Sequence, residues 1–252
     1  MNEKKLISPE YKVTIGSFVL SKGISVECFS SKETHADWCS IELVSQFDGI
    51  IEYDDMDEAI VELGYDDDYD TLLSGYVRKS SDDYWKEIMI KDDIIYLDRT
   101  TIKATFIDCN PQDVIRYILT QAGIKNYRLS NQDYGKKKVF SIDKKTGIKA
   151  IADVNSCFGI ENNYYFRDHV FYWGTKEEQE YIYELSENNN ILSLNKYGKS
   201  WEIETIGVPW IHHSQEINVI HSKYSGIVEV EKTIVKTDNN GFTRMYIYFK
   251  GA

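Results

Sequence analysis

Mainly β, interrupted by an α+β insertion, is the fold class this sequence predicts. Three observations carry the prediction. Apolar and polar residues alternate through most of the first hundred of 252 residues, the period-two signature of strands with one buried face. The period changes to that of a helix at residue 110. From residue 164 onward the alternation returns, with a hairpin signal near the end of the chain.

From Tyr11 to Ile107 the pattern is β. Val13 and Ile15 alternate with polar neighbours, as do Ile24, Val26 and Cys28, and then Ala59, Val61 and Leu63; a run follows through Leu72, Leu73, Tyr76 and Val77. Short strands between Gly, Ser and Asp turns point to a barrel or sandwich. Asn110 then reads as an N-cap, Pro111 as the first helical residue, and Asp113 as the carboxylate that favours the positive helix end. Val114, Ile115, Ile118, Leu119 and Ala122 form one apolar stripe, and Gly123 stops the helix. A second helix is predicted from Thr146 to Phe158, with Ile148, Ile151 and Ala152 inward and Gly159 ending it. Tyr164–Phe166 and Val170–Trp173 read as strands about a turn at Arg167-Asp168. Further strands are expected at Tyr181–Tyr183, Ile191–Leu194 and Trp201–Ile206. Ile227–Val235 and Thr243–Phe249 flank Asp238-Asn239-Asn240-Gly241, a hairpin signal.

Composition narrows the function classes. Hydrophobic residues at 42% and aromatics at 13% describe a folded chain. Tyrosine is in excess at 19 copies, and it suits both strands and interfaces. The formal net charge of −12 argues against sequence-read nucleic acid and against an anionic membrane, since both need clustered cations. No run approaches the ~18 apolar residues of a membrane span. The start, Met1-Asn2-Glu3-Lys4-Lys5, leads into no apolar core of a signal peptide. Cys28, Cys39, Cys109 and Cys157 form no C-x-x-C pair and sit among apolar residues. The expectation is therefore four buried free thiols in a chain that folds in a reducing cytoplasm.

No motif in the chain specifies catalysis. His212, His213 and His221 are close in sequence, but adjacent residues on a strand point to opposite faces, and no Cys or carboxylate stands at ligand spacing. No metal and no cofactor are expected. Asp54, Asp55 and Asp57, and then the run Asp66-Asp67-Asp68-Tyr69-Asp70, lack the order and terminal Glu of a calcium loop and read as solvated turns. Lys136-Lys137-Lys138 reads as a solvated loop. The 41 Asp and Glu residues guarantee accidental carboxylate pairs, and none is singled out. The aromatic hairpin from Tyr164 to Trp173 is consistent with a sugar-stacking platform, but such hairpins more commonly serve as core or subunit contact. A carbohydrate-binding β module or a cell-wall hydrolase component is the alternative.

Taken in order, Thr105 to Ile115, Tyr164-Tyr165-Phe166, Phe171 to Gly174, Asn190 to Leu194, Gly207 to Val219, Gly226 to Val230 and Met245 to Tyr248 resemble segments of the baseplate hub proteins of contractile phage tails and phage-tail-like bacteriocins (tailocins). Thr105 to Ile115, with Ile118-Leu119 and Ala122-Gly123-Ile124, is similar to the stretch where a first barrel feeds the opening helix of an inserted domain. Tyr164-Tyr165-Phe166 and Phe171-Tyr172-Trp173-Gly174 resemble that insert's closing hairpin, and Asn190 to Leu194 its return strand. Gly207 to Val219 resembles the start of a second barrel, with Ser214 where many relatives carry Gly. Gly226 to Val230 and Met245 to Tyr248 resemble that barrel's last strands.

The resemblance implies two tube-like β-barrel domains with a small helix-containing domain between them: residues 1–107, 181–252 and the insert 108–180. It implies a non-enzymatic structural subunit of a virion or injection particle. The subunit would form a homotrimer whose six barrels adapt a six-fold tail tube to a three-fold spike. Tail tube protein, central spike protein, tape measure and baseplate wedge proteins are the implied partners. Tyr172, Trp173, Trp210, His212, His213, Tyr246 and Tyr248 are the candidate assembly contacts.

Overall fold

The computed structural model describes residues 8–47, 50–79 and 87–251. The reading of the extreme N-terminus as lacking a signal peptide falls on residues 1–7 and lies outside the described residues. The chain is mainly β and divides into two units. Residues 1–92 and 178–252 form the first, and residues 93–177 the second.

In the first unit, strands β1 to β7 come from the N-terminal stretch: Glu10–Ile15, Phe18–Leu20, Ile24–Ser31, Trp38–Leu43, Glu58–Tyr65, Asp68–Arg78 and Glu87–Lys91. Their alternation is the predicted one. Val13 and Ile15 are buried, as are Ile24, Val26 and Cys28, and Ala59, Val61 and Leu63. The Asp66 and Asp67 backbones have φ of 52° and 64°, so the acidic run supplies the two-residue turn between β5 and β6. Asp tolerates this left-handed region better than most side chains.

The second unit begins with helix α1, Ile94–Arg99. This stretch was expected to be strand. Its Ile94, Ile95 and Leu97 are buried, and so short an apolar run has no period that separates helix from strand. Strands β8 (Thr101–Cys109) and β10 (Lys137–Thr146) form a two-stranded ribbon, and β9 (Tyr127–Leu129) lies between them in sequence. Helix α2, Pro111–Gln121, begins as predicted: the Asn110 side chain accepts from the Asp113 N–H at 2.8 Å. Helix α3 is Gly147–Phe158, capped by Thr146, and it ends at Gly159 with φ 66°. Its inward face differs from the predicted one. Ala150, Ile151 and Val154 are buried, while Ala152 is exposed and Ile148 half-buried. Gly147 is fixed by α1, since a Cβ there would stand 2.9 Å from the Leu97 carbonyl oxygen. Strands β11 (Tyr164–Arg167) and β12 (Val170–Trp173) turn through Asp168 and His169, at φ 47° and 61°.

The remaining strands, β13 to β18, are Tyr183–Ser186, Ile191–Tyr197, Ser200–Thr205, Glu216–His221, Tyr224–Thr237 and Thr243–Lys250. They return to the first unit. β17 bends at a bulge between Val230 and Lys232, pairing with β16 before it and with β3 after it. One sheet path therefore runs β14-β15-β18-β17-β3-β4-β7-β6-β5-β1-β2, with β16 and β13 branching from β17. The predicted turn at 238–241 closes the β17–β18 hairpin, where Asp238 Oδ1 accepts from the Asn240 and Phe242 N–H groups. Among the described residues, no helix is long and apolar enough to cross a membrane.

The expectation of four buried free thiols is overturned. Cys28 and Cys39 face each other in the β3–β4 register and form a disulfide, and Cys157 is exposed; Cys109 is a buried free thiol. The two bonded cysteines lie symmetrically about the 33–34 turn, so antiparallel pairing makes them neighbours.

Candidate assembly surface

Alternation on the shared sheet fixes which side chains stay outside. On β18, Met245, Ile247 and Phe249 point into the core, which leaves Arg244, Tyr246 and Tyr248 on the outer face. The registers carry that face across the sheet. Tyr246 stands opposite Ile234, Ile234 opposite Phe29, and Phe29 opposite Trp38. Trp38 stands opposite Lys91, and Lys91 opposite Tyr76. All six are half-buried. Phe29 and Trp38 stack with ring centroids 5.3 Å apart, and Lys232 Nζ lies 3.8 Å from the Tyr248 ring centroid. A half-exposed row of large rings over paired strands can bury apolar area against a flat partner without unfolding anything.

Charges frame this row. Burial, reinforced by a hydrogen bond to the Glu202 carboxylate across the strand pair, pushes the Tyr248 hydroxyl above its ordinary range. At the β17 bulge, Lys32 Nζ lies 2.8 Å from Glu229 and 2.7 Å from Glu231, and Lys250 Nζ lies 2.6 Å from Glu231. Burial alone would raise the Glu231 carboxyl, but the two lysines outweigh it and hold it low. For Lys32, burial pulls down and the two glutamates prevail, so its pKa rises.

Beside the row lies an open groove of about 390 Å³, lined by Glu27, Glu42, Lys236, Phe242, Arg244 and Tyr246 among others. Lys236 reaches Glu27 at 3.1 Å and Arg244 reaches Glu204 at 3.5 Å. Glu42 stands directly opposite Glu87 in the β4–β7 register.

The predicted contact residues are scattered. Tyr246 is on the row described above, and Tyr248 is on the same outer face of β18, opposite Lys232. Tyr172 is half-buried and stacks on Tyr165 at 5.3 Å. Trp173 is fully buried, and its Nε1–H donates to Asn155 Oδ1 at 2.9 Å. Of the six rings at 164–166 and 171–173, five are buried and Tyr172 is half-exposed, so the hairpin presents no flat platform for sugars. Trp210 is half-buried against Tyr183 at 6.1 Å. His212 is half-buried, and its N–H donates to Gln215.

His213 is buried in a polar junction that the sequence did not announce. Its Nε2 lies 3.7 Å from Asp37 Oδ1. Asp37 accepts from the Ser30 hydroxyl at 2.8 Å and the Ser31 N–H at 3.1 Å, and its own N–H donates to Asp92 at 3.1 Å. The junction ties the β3–β4 turn, the end of β7 and the loop before β16 together. Next to it Ser214 holds φ 66°, a conformation that glycine takes at less cost. His221 lies elsewhere, 3.7 Å from Glu187. No group of three His, Cys, Asp or Glu suited to a metal occurs among the described residues. The three lysines at 136–138 are exposed. Phe29, Trp38, Ile234 and Tyr76 were missed as surface candidates. Their signal was the alternation itself, read for its outward phase.

No family model matches the chain, and no curated protein matches it. Solved structures do. The 43 kDa tail protein of prophage MuSo2 from Shewanella oneidensis superposes with a TM-score of 0.74 at 11% identity, covering 96% of this chain and 98% of that one. A tail protein from Neisseria meningitidis MC58 gives 0.72 at 10% identity, covering 97% of each. The E. coli c3393 protein, a type VI secretion component described as structurally similar to the T4 tail proteins gp27 and gp5, gives 0.67 at 10% identity, covering 96% and 77%. At such identities the likeness is one of architecture: this chain has the fold of these phage tail and secretion-system proteins.

Proposed function

We propose that the chain is a structural baseplate hub subunit of a contractile tail or injection particle. Three copies form a ring that adapts the six-fold tail tube to the three-fold spike. The observation that carries this reading is the near-complete mutual coverage of two phage tail proteins, at TM-scores of 0.74 and 0.72. The sheet is consistent with it: β1 to β7 and β13 to β18 each supply one half, joined where β3 pairs with β17. In this reading the halves are the two tube-like barrels, and residues 108–180 of the proposed insert lie within 92–182, between the last strand of one and the first of the other. The protein works by assembly and not by catalysis. Its partners are its own copies, the tail tube and the spike, with tape measure and wedge proteins nearby. Its place is the baseplate of a virion or tailocin put together in the bacterial cytoplasm. Tyr246 and Tyr248, on the outer face of β18, are the contacts we assign to assembly.

Electron microscopy of the purified chain, alone and co-expressed with its particle's tube and spike proteins, tests the reading. A three-fold ring with a central channel is expected. A monomer in solution and in the particle overturns it.

A further inference from the structure

The two units differ sharply in charge. Residues 93–177 carry 13 Lys and Arg against 10 Asp and Glu, whereas the rest of the chain carries 16 against 31. The first set is therefore net +3 and the second net −15, which together restore the −12 of the whole chain. Two surfaces concentrate the contrast. On the ribbon, β8 and β10 pair only with each other among the described strands. Their cross-strand partners Ile107 and Val139 are 75% and 64% exposed, with Lys136 and Lys138 exposed just before Val139. A two-stranded ribbon with an open apolar pair and flanking lysines offers a surface that a partner of opposite charge can cover.

The groove between β3, β4, β17 and β18 has the complementary character. Its apolar element is Phe242, 58% exposed, beside the half-buried Tyr246. Its cations are already engaged, Lys236 by Glu27 and Arg244 by Glu204. Its carboxylates are in surplus. Glu42 lines the groove and stands opposite Glu87 of the neighbouring strand, which accepts from the Ser40 hydroxyl at 2.7 Å; like charges placed directly opposite are destabilising, and a docked cation relieves them. Asp238 adds a further negative charge at the rim.

We infer that the β8–β10 ribbon of one copy docks into this groove on a second copy, with Ile107 and Val139 against Phe242 and Tyr246 and the lysines against Glu42 and Glu87. The inference rests on the self-assembly reading above and names the surfaces that make it. Because the two surfaces differ, the contact is head-to-tail and propagates around a ring, or along a filament where the rotation does not close. Complementary charge sets partner choice and encounter rate, and the apolar pair sets the lifetime of the contact.

Sedimentation velocity tests it. Lys136→Glu with Lys138→Glu alters exposed side chains and leaves thermal melting unchanged. It is expected to weaken self-association at least about tenfold, and the wild-type association is expected to weaken between about 50 mM and about 500 mM salt. Ile107→Ser with Val139→Ser gives the same loss without a change of charge. Adding Glu42→Lys and Glu87→Lys to the lysine reversal restores association. A wild-type ring that both ribbon variants still form at wild-type strength overturns this docking and leaves the hub reading standing, as does failure of the charge swap to restore association. A wild-type chain that stays monomeric even with tube and spike present overturns both. Association with a basic protein of the particle that proceeds equally well on the ribbon variants assigns the groove to that protein and also overturns the proposal.

Discussion

Residues 93–177 fold from one contiguous stretch, whereas the acidic unit must bring residues 1–92 and 178–252 together. In the acidic unit Val26 pairs with Thr237, so its sheet closes only after more than two hundred residues have been placed. Its core mixes Val13, Ile41 and Ile90 from one end with Ile203, Ile217 and Phe249 from the other. The smaller unit draws its core, including Ile115, Ile151 and Trp173, from within one stretch of 85 residues. Loop closure makes the first kind of assembly slow and the second fast. The difference teaches where mutations will be felt: each unit has its own failure points, and those of the acidic unit lie where the two chain ends meet.

Trp173→Ala probes the smaller unit and has the largest expected effect. It removes a fully buried ring that holds Asn155, at a cost of about 4 kcal/mol. Hydrogen exchange read by mass spectrometry should show lost protection across 93–177 with the sheet of the acidic unit unchanged. Equal loss in both units would erase the distinction between them.

Asp37→Ala probes the meeting point of the chain ends. It strands the Ser30 and Ser31 donors and empties the site facing His213, at a cost of about 3 kcal/mol. Urea unfolding followed by near-UV dichroism should shift to lower denaturant, while the far-UV helical signal, which comes mainly from 93–177, shifts less. Coincident shifts of both signals would mean that the units unfold as one.

The smallest expected effect sharpens the electrostatic side of the contrast. Glu231 is held low by Lys32 and Lys250, so its contribution is present above the unfolded carboxylate value of about 4.3 and is lost as pH falls through the lower folded value. Lys32 is held high, so its contribution is present below about 10.4 and is lost as pH rises through the folded value. The bulge network thus stabilises the acidic unit most between about pH 5 and pH 10, by about 1 kcal/mol or less because salt and solvent screen it. Glu231→Gln should flatten the acid limb of a stability-against-pH curve. An unchanged acid limb would show that the network contributes nothing.

Much of this fold was legible because its signals are local. The Asn110 cap, the α2 stripe, the Gly159 stop and the 238–241 turn each depend on a few adjacent residues, and each appears where the sequence puts it. Helix α1 was missed because six residues contain too little period to read. The inward face of α3 is the stripe Gly147, Ala150, Ile151 and Val154, in which two small residues count as buried where a reading by large side chains alone selects Ile148 and Ile151.

The sequence by itself determined the mainly β character, the placement of α2 and α3, and the buried phase of β1, β3 and β5, because all three follow from periodicity along the chain. Tertiary structure alone decided that β3 pairs with β17, that Cys28 bonds Cys39, that Asp37 and His213 share a buried junction, and that Phe29, Trp38, Ile234 and Tyr246 line up as one face. Strand register across long separations is a property of pairing and not of any one strand. Residues far apart in the chain become neighbours only once the two ends of the acidic unit have met.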